Sequence, residues 1–230
     1  MTLSPPADES RRPAWEQSYE NKQNFVFYPD EEMVRFISKH LRKRTGFDSF
    51  DDKQPDAQGM RMLDVGCGIG RHMAMALDFG FTPYGFDLSQ TAVQTARDWL
   101  RSRGVSDADQ RAHQADIRAL PFDDGFFGFA VSHGVLDSMP FAIAREGIGE
   151  VARVLRPQGL FYCDLIGGGD HEEVIETHHE KDTLQSFFTS QKIDELVSHH
   201  FAVLDRIRVD RTDTQTGHVH SRWHLTLQKR

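Results

Sequence analysis

Residues Met62-Leu63-Asp64-Val65-Gly66-Cys67-Gly68-Ile69-Gly70-Arg71-His72 carry an apolar segment past an acidic residue into three alternating glycines. A helical pattern follows at once. Glycine has no Cβ, so the backbone at these positions can turn sharply and come within contact of a ligand. The first turn of the next helix points its free amides into the same space. An open α/β sheet builds a nucleotide-type site in this way, at the C-terminal ends of its strands. The spacing narrows the choice. A dinucleotide fingerprint reads G-x-G-x-x-G, whereas this loop reads G-x-G-x-G with Asp64 just ahead of it. A pyrophosphate is repelled by that carboxylate, while an ammonium or sulfonium ligand is tolerated or favoured. Taken alone, the glycines fit a tight turn as well as a binding loop.

Four more segments extend the pattern. Tyr84-Gly85-Phe86-Asp87-Leu88-Ser89 is a short strand ending in a carboxylate, with Ser89 placed to cap a helix. A carboxylate at that tip can accept two hydrogen bonds from a ribose diol. His113 to Phe122 offers Asp116 at another strand end, before a Pro-Phe stop. Phe126 to Ser132 is an apolar strand running into His133-Gly134-Val135-Leu136-Asp137. A helix with Ile148, Val151, Ala152 and Leu155 on one face is stopped at Pro157, and a strand over 159–166 follows.

These segments, in this order, resemble the class I S-adenosylmethionine-dependent methyltransferases over about residues 60–166. The resemblance implies a single Rossmann-like α/β domain. Its mostly parallel seven-stranded sheet would end in an antiparallel C-terminal hairpin, with helices on both faces. It also implies S-adenosylmethionine as cofactor. The loop of Asp64, Gly66, Cys67, Gly68 and Gly70 would pack on the methionine part. Asp87, with Leu88 beside it, would hold the ribose, and Asp116 and the Ile117 amide the adenine. Ser132 and His133 would face the methionine end and the acceptor.

The rest of the chain sets limits. At 230 residues, 38% hydrophobic and 27% charged, it is long enough to bury one core, and the composition suits a globular protein. No apolar run reaches the ~20 residues of a membrane span, and Met1 to Arg12 shows no signal-peptide pattern. Two cysteines give no disulfide framework. A cytoplasmic location is expected. The net charge of −8 argues against nucleic acid as a partner. The dense basic stretch Arg35, Lys39, Arg42, Lys43, Arg44 reads as a solvated helix face.

Residues 1–14 read as a disordered tail, 15–59 as a helical arm and flexible linker, and 60–230 as the catalytic domain. The arm holds a helix over about 30–43, and the linker spans 45–59. After a helix near 190–199, Phe201–Val209 and Val219–Leu227 form the hairpin. Gly167-Gly168-Gly169 suggests a hinge for a lid running to Phe188, with His171, His178 and His179 in it. His218, His220 and His224 share strand parity, but the alternation fits a polar strand face, and no metal is expected.

Methyl transfer is an in-line substitution in which alignment and exclusion of water matter most. A base is needed only where the accepting atom holds a proton. His133 is the candidate base, and Tyr19, Tyr28, Asp137 and His171 are candidate substrate contacts. The stretch after the fourth strand lacks the Pro-Pro-aromatic and Pro-Cys motifs of DNA-modifying relatives, so a small-molecule or sugar-like acceptor is expected. The alternatives are a non-catalytic S-adenosylmethionine-binding partner or sensor, and a nicotinamide-dependent dehydrogenase. The glycine spacing and the hairpin count against the dehydrogenase.

Overall fold

A computed structural model describes residues 11–175 and 183–230. His178 and His179 lie outside the described residues, as do positions 1–10 of the expected tail. Helix α1 is Arg11–Glu20 and α2 is Glu31–His40. Asp30 caps α2 by accepting from Glu32 N at 2.9 Å. The chain then forms a small antiparallel pair, β1 (Arg42–Arg44) and β2 (Phe50–Asp52). The domain follows as β3 (Arg61–Val65), α3 (Arg71–Asp78), β4 (Thr82–Asp87), α4 (Gln90–Ser102), β5 (Ala112–Gln114) and β6 (Phe127–Ser132). Next come α5 (Phe141–Val154), β7 (Leu155–Ile166), β8 (Glu172–Val174), β9 (Leu184–Ser186), α6 (Ser190–Val197), β10 (Phe201–Thr212) and β11 (Val219–Lys229).

The main sheet has seven strands in the order β10-β11-β7-β6-β3-β4-β5. β3, β4, β5, β6 and β7 pair in parallel, and β11 runs antiparallel to both β7 and β10. The expected architecture is therefore present. Both faces are covered, so the central strands read as continuous apolar runs. Met62 packs with Met33, Ile37 and Phe129 on one side, whereas its neighbour Leu63 packs with Phe127, Ile148 and Phe161 on the other. All six residues of β6 are buried.

Three expectations are corrected. Arg11–Ala14 belong to α1 and are not part of a disordered tail. The 45–59 stretch is no loose linker, because β2 pairs with β1 and Ala57 is fully buried. The basic stretch does not stay on one helix: α2 ends at His40, and Arg42 enters β1, where it faces Asp52 at 2.9 Å and stacks on Phe50. Opposite charges directly across two strands stabilise the pair. The remaining differences are boundaries. α5 ends at Val154, and Pro157 lies in β7, beside a turn where Gln158 has φ 63°.

The segment from 167 onward is partly structured. β8 pairs with β9, and Ser186 bonds Asp137 O and Met139 O, each at 2.7 Å. Helix α4 begins on Ser89, whose hydroxyl accepts from Ala92 N at 3.0 Å. Ser89→Ala should cost about 1 kcal/mol and lower the melting temperature by about 2–4 °C. An unchanged thermal transition would show that the cap contributes nothing.

Candidate active site

At the C-terminal ends of β3, β4 and β6 lies a cavity of about 380 Å³. The turn after β3 forms one wall with Gly66, Cys67 and Gly68. Gly66 and Gly68 have φ of 63° and 52°, a region that residues with a Cβ adopt only at a cost. Gly70 ends the turn and packs against Ala96 of α4. Trp15, Tyr19, Asn24 and Val26, from α1 and the chain after it, also line the cavity. The Glu16 carboxylate ties this arm down by accepting from Gln90 N at 2.7 Å and Thr91 N at 3.1 Å, at the start of α4. The Tyr19 hydroxyl stands 2.7 Å from where a Cβ on Gly68 would be. Burial, with Asp87 next, pushes its phenol well up.

Asp87 sits at the tip of β4 and lines the cavity. Its two oxygens accept from Gly68 N and Ser89 N, both at 2.9 Å. Burial nevertheless raises its carboxyl to about 6, because those two bonds do not offset the loss of water. A diol donating to the remaining lone pairs favours the ionised form.

His133 follows β6 and faces the cavity. Its Nδ1 lies 2.9 Å from Asp164 Oδ2 on β7, an ion-pair distance whose angle falls short of a regular hydrogen bond. Asp30 Oδ2 stands 3.9 Å away. Burial would depress the imidazole, but Asp164 and Asp30 outweigh it and the pKa is raised. Asp164 also accepts from Gly134 N at 2.8 Å and from Arg222 Nη1 at 2.9 Å. Burial opposes its ionisation, yet His133 and Arg222 hold its carboxyl well below the usual range. Arg222 Nη1 reaches Asp137 Oδ2 at 3.2 Å as well. Burial pushes the Asp137 carboxyl up, against the pull of Arg222. The ends of β6, β7 and β11 are thus joined by one buried charge network.

Of the residues singled out in the sequence, Gly66, Cys67, Gly68, Asp87, Leu88, Ile117, His133 and Tyr19 line this cavity. Asp64, Gly70 and Ser132 do not line it. Asp64 is 1% exposed beneath the loop, with Oδ1 3.7 Å from His72 Nδ1. Asp116 opens on a neighbouring recess, where it accepts from Arg118 N, Nε and Nη2 and lies 3.9 Å from Arg11. Three proposed substrate contacts are elsewhere. Tyr28 is 82% exposed and outside the cavity. Asp137 is buried behind it, accepting from Ile166 N at 2.9 Å. His171 is exposed and stacks on Phe187.

The sequence reading missed Asp164, Arg222, Arg71 and His72. A signal existed for Asp164, a lone charge in the apolar strand Leu160–Ile166, because such a charge must be paired. His72 Nε2 accepts from Asp30 N at 3.3 Å. That places the ring proton on Nδ1, toward Asp64. His224, one of the parity set, bonds the Tyr162 hydroxyl at 2.8 Å.

Residues 63–163 match a family described as "Methyltransferase domain". The methyltransferase GfsG of Streptomyces halstedii is 29% identical over 154 residues, covering 66% of this chain and 53% of that protein. The sterol 4-C-methyltransferase strm-1 of Caenorhabditis elegans is 29% identical over 165 residues, covering 68% of this chain and 46% of its own. The chain spans about half the length of the curated relatives it matches. Among solved structures, the Burkholderia thailandensis 1,6-didemethyltoxoflavin-N1-methyltransferase superposes with a TM-score of 0.71 at 20% identity, covering 100% of this chain and 92% of that one. That protein was solved with 1,6-didemethyltoxoflavin and S-adenosylhomocysteine bound. The family match over residues 63–163, the strand order and the glycine turn that ends β3 agree with the resemblance to the class I S-adenosylmethionine-dependent methyltransferases.

Proposed function

We propose that this chain transfers a methyl group from S-adenosylmethionine to a small-molecule or sugar-like acceptor. The observation that carries this reading is the cavity itself. Glycine amides and Asp87 form one wall, and His133, backed by Asp164, faces it from the end of β6. The residues suit such a cofactor. Asp87 keeps lone pairs for a ribose diol, and Asp64 Oδ2, buried beneath the loop, bonds no atom of the described residues. An unpartnered carboxylate oxygen there favours a ligand carrying positive charge. When bound, S-adenosylmethionine supplies a methyl group already activated on a sulfonium. The chain's part is to hold and align the partners, cover them with the α1 arm, and offer His133 where the acceptor holds a proton. A sterol 4-C-methyltransferase and a 1,6-didemethyltoxoflavin-N1-methyltransferase among the similar proteins support a small-molecule acceptor.

Calorimetry with S-adenosylhomocysteine and with a nicotinamide dinucleotide tests the cofactor. Heat from the dinucleotide alone would overturn this reading. Labelled methyl donor incubated with cell-extract fractions tests turnover. Tight cofactor binding with no labelled product in any fraction would favour a binding or sensor role.

Asp87→Ala should weaken S-adenosylhomocysteine by about 1.5–3 kcal/mol. In the wild type the affinity should also fall as pH drops through about 6, because protonation removes an acceptor that the bound diol needs. Asp87→Asn should remove this pH dependence. A flat profile in the wild type would take Asp87 out of the cofactor contact.

A further inference from the structure

The charges at the acceptor end of the cavity are arranged unevenly. Arg71, His133 and Arg222 face the cavity, and among the described lining residues the only carboxylate is Asp87, on the ribose side. The counter-charges, Asp137 and Asp164, are fully buried behind the wall. Arg222 spends Nη1 on both of them. Its Nε and Nη2 bond no atom among the described residues, and a third of the side chain is exposed. The His133 ring likewise commits Nδ1 to Asp164 and leaves Nε2 without a partner among those residues. Asp30, 28% exposed, is the other carboxylate facing the ring, again on the Nδ1 side.

Arg71 donates to Tyr28 O at 3.2 Å and has no ion pair among the described residues. It follows Gly70 directly, so it stands on the glycine-turn side, where the cofactor's own carboxylate calls for a cation. Arg222, on β11, is left for the acceptor.

We propose that the acceptor is an acidic oxygen compound, a carboxylic acid or an acidic enol or phenol, bound as its anion between Arg222 and His133. This rests on the methyl-transfer reading above and narrows it to a substrate class. A guanidinium with two open donors matches a carboxylate or enolate geometrically. An incoming anion meets these donors but not the carboxylates that balance them. The step balances. An acceptor that arrives protonated gives its proton to His133 Nε2. The oxygen lone pair then forms the bond to the methyl carbon, and the methyl–sulfur bond breaks with its electron pair left on sulfur. The imidazolium returns its proton to water. A neutral sugar hydroxyl or a sterol carbon would leave the open fork of Arg222 unmatched, at the cost of a desolvated charge.

The test uses the chain saturated with S-adenosylhomocysteine. Matched probes are titrated by calorimetry: aromatic and aliphatic carboxylic acids against their primary amides, and acidic phenols against their methyl ethers. The acid of the best-fitting pair should bind about 10–100-fold more tightly than its neutral partner. Arg222→Gln should abolish that preference. Arg222→Lys keeps a charge on the buried carboxylates if Gln does not fold, and it should reduce the preference at least about tenfold. A panel in which no acid outbinds its neutral partner overturns the proposal. So does a preference that survives in a folded Arg222 variant. A chain that fails to bind S-adenosylhomocysteine at all fails at the earlier reading, and this one falls with it.

Discussion

For an acceptor that arrives with its proton, His133→Ala is expected to leave S-adenosylhomocysteine affinity nearly unchanged and to cut turnover by about 10²–10⁴-fold. The ring lines the cavity from the end of β6, and Asp164 holds it from behind. His133 accepts a proton only when Nε2 is free. The rate should therefore fall as pH drops through the raised imidazole pKa, and that limb should vanish in the variant. Asp164→Asn removes the charge that favours the imidazolium. It should move the His133 ring resonances to a lower titration midpoint, a measurement that needs no acceptor. His133→Asn separates roles, since an amide holds a partner but takes no proton near neutrality. If Asn restores most of the rate, His133 positions the acceptor. If Ala and Asn both lose the cofactor, His133 belongs to the methionine pocket.

Gly68→Val should weaken the cofactor by at least about a hundredfold while far-ultraviolet dichroism stays close to wild type. Two costs combine. A φ of 52° is strained for a β-branched residue, by about 1–3 kcal/mol. The new Cβ would also stand 2.7 Å from the Tyr19 hydroxyl, so the arm must lift away from the turn. Gly68 N also donates to Asp87, and a shifted turn loosens that carboxylate. Wild-type affinity in a folded Gly68→Val protein would show that the turn only connects β3 to α3.

The frame of the domain was legible because local signals agreed with one another. β4 ends at Asp87 as expected, since its tip carboxylate and the Ser89 cap mark both sides of the boundary. The glycine turn and the C-terminal hairpin were readable from backbone chemistry alone. The 45–59 stretch misled because its stability comes from pairing across β1 and β2 and from Arg42 stacking on Phe50. Neither contact has a periodic signature. The proposed cofactor wall was read in part: Gly66, Cys67, Gly68, Asp87, Leu88 and Ile117 line the cavity, whereas Asp64, Gly70, Asp116 and Ser132 do not. The acceptor side was not, because Arg222 reaches it from a strand 89 positions after His133 in the chain, and alternation showed only that Arg222 lies on a polar face. Asp137, expected at the substrate, instead accepts from Ile166 N and Arg222 behind the cavity wall.

The β11 register has a bearing on which length changes this domain can absorb. Arg222 pairs across to Ile166, and His224 to Asp164. Side chains alternate along a strand, so sliding β11 by one residue against β7 would turn Arg222 to the opposite face and leave Asp137 and Asp164 without it. The turn around Asp213–Gly217 lies at the far end of the hairpin, where extra residues change neither register. An insertion there leaves the charge network intact. A single residue gained between Arg222 and Lys229 dismantles it, although both changes fall in the same hairpin.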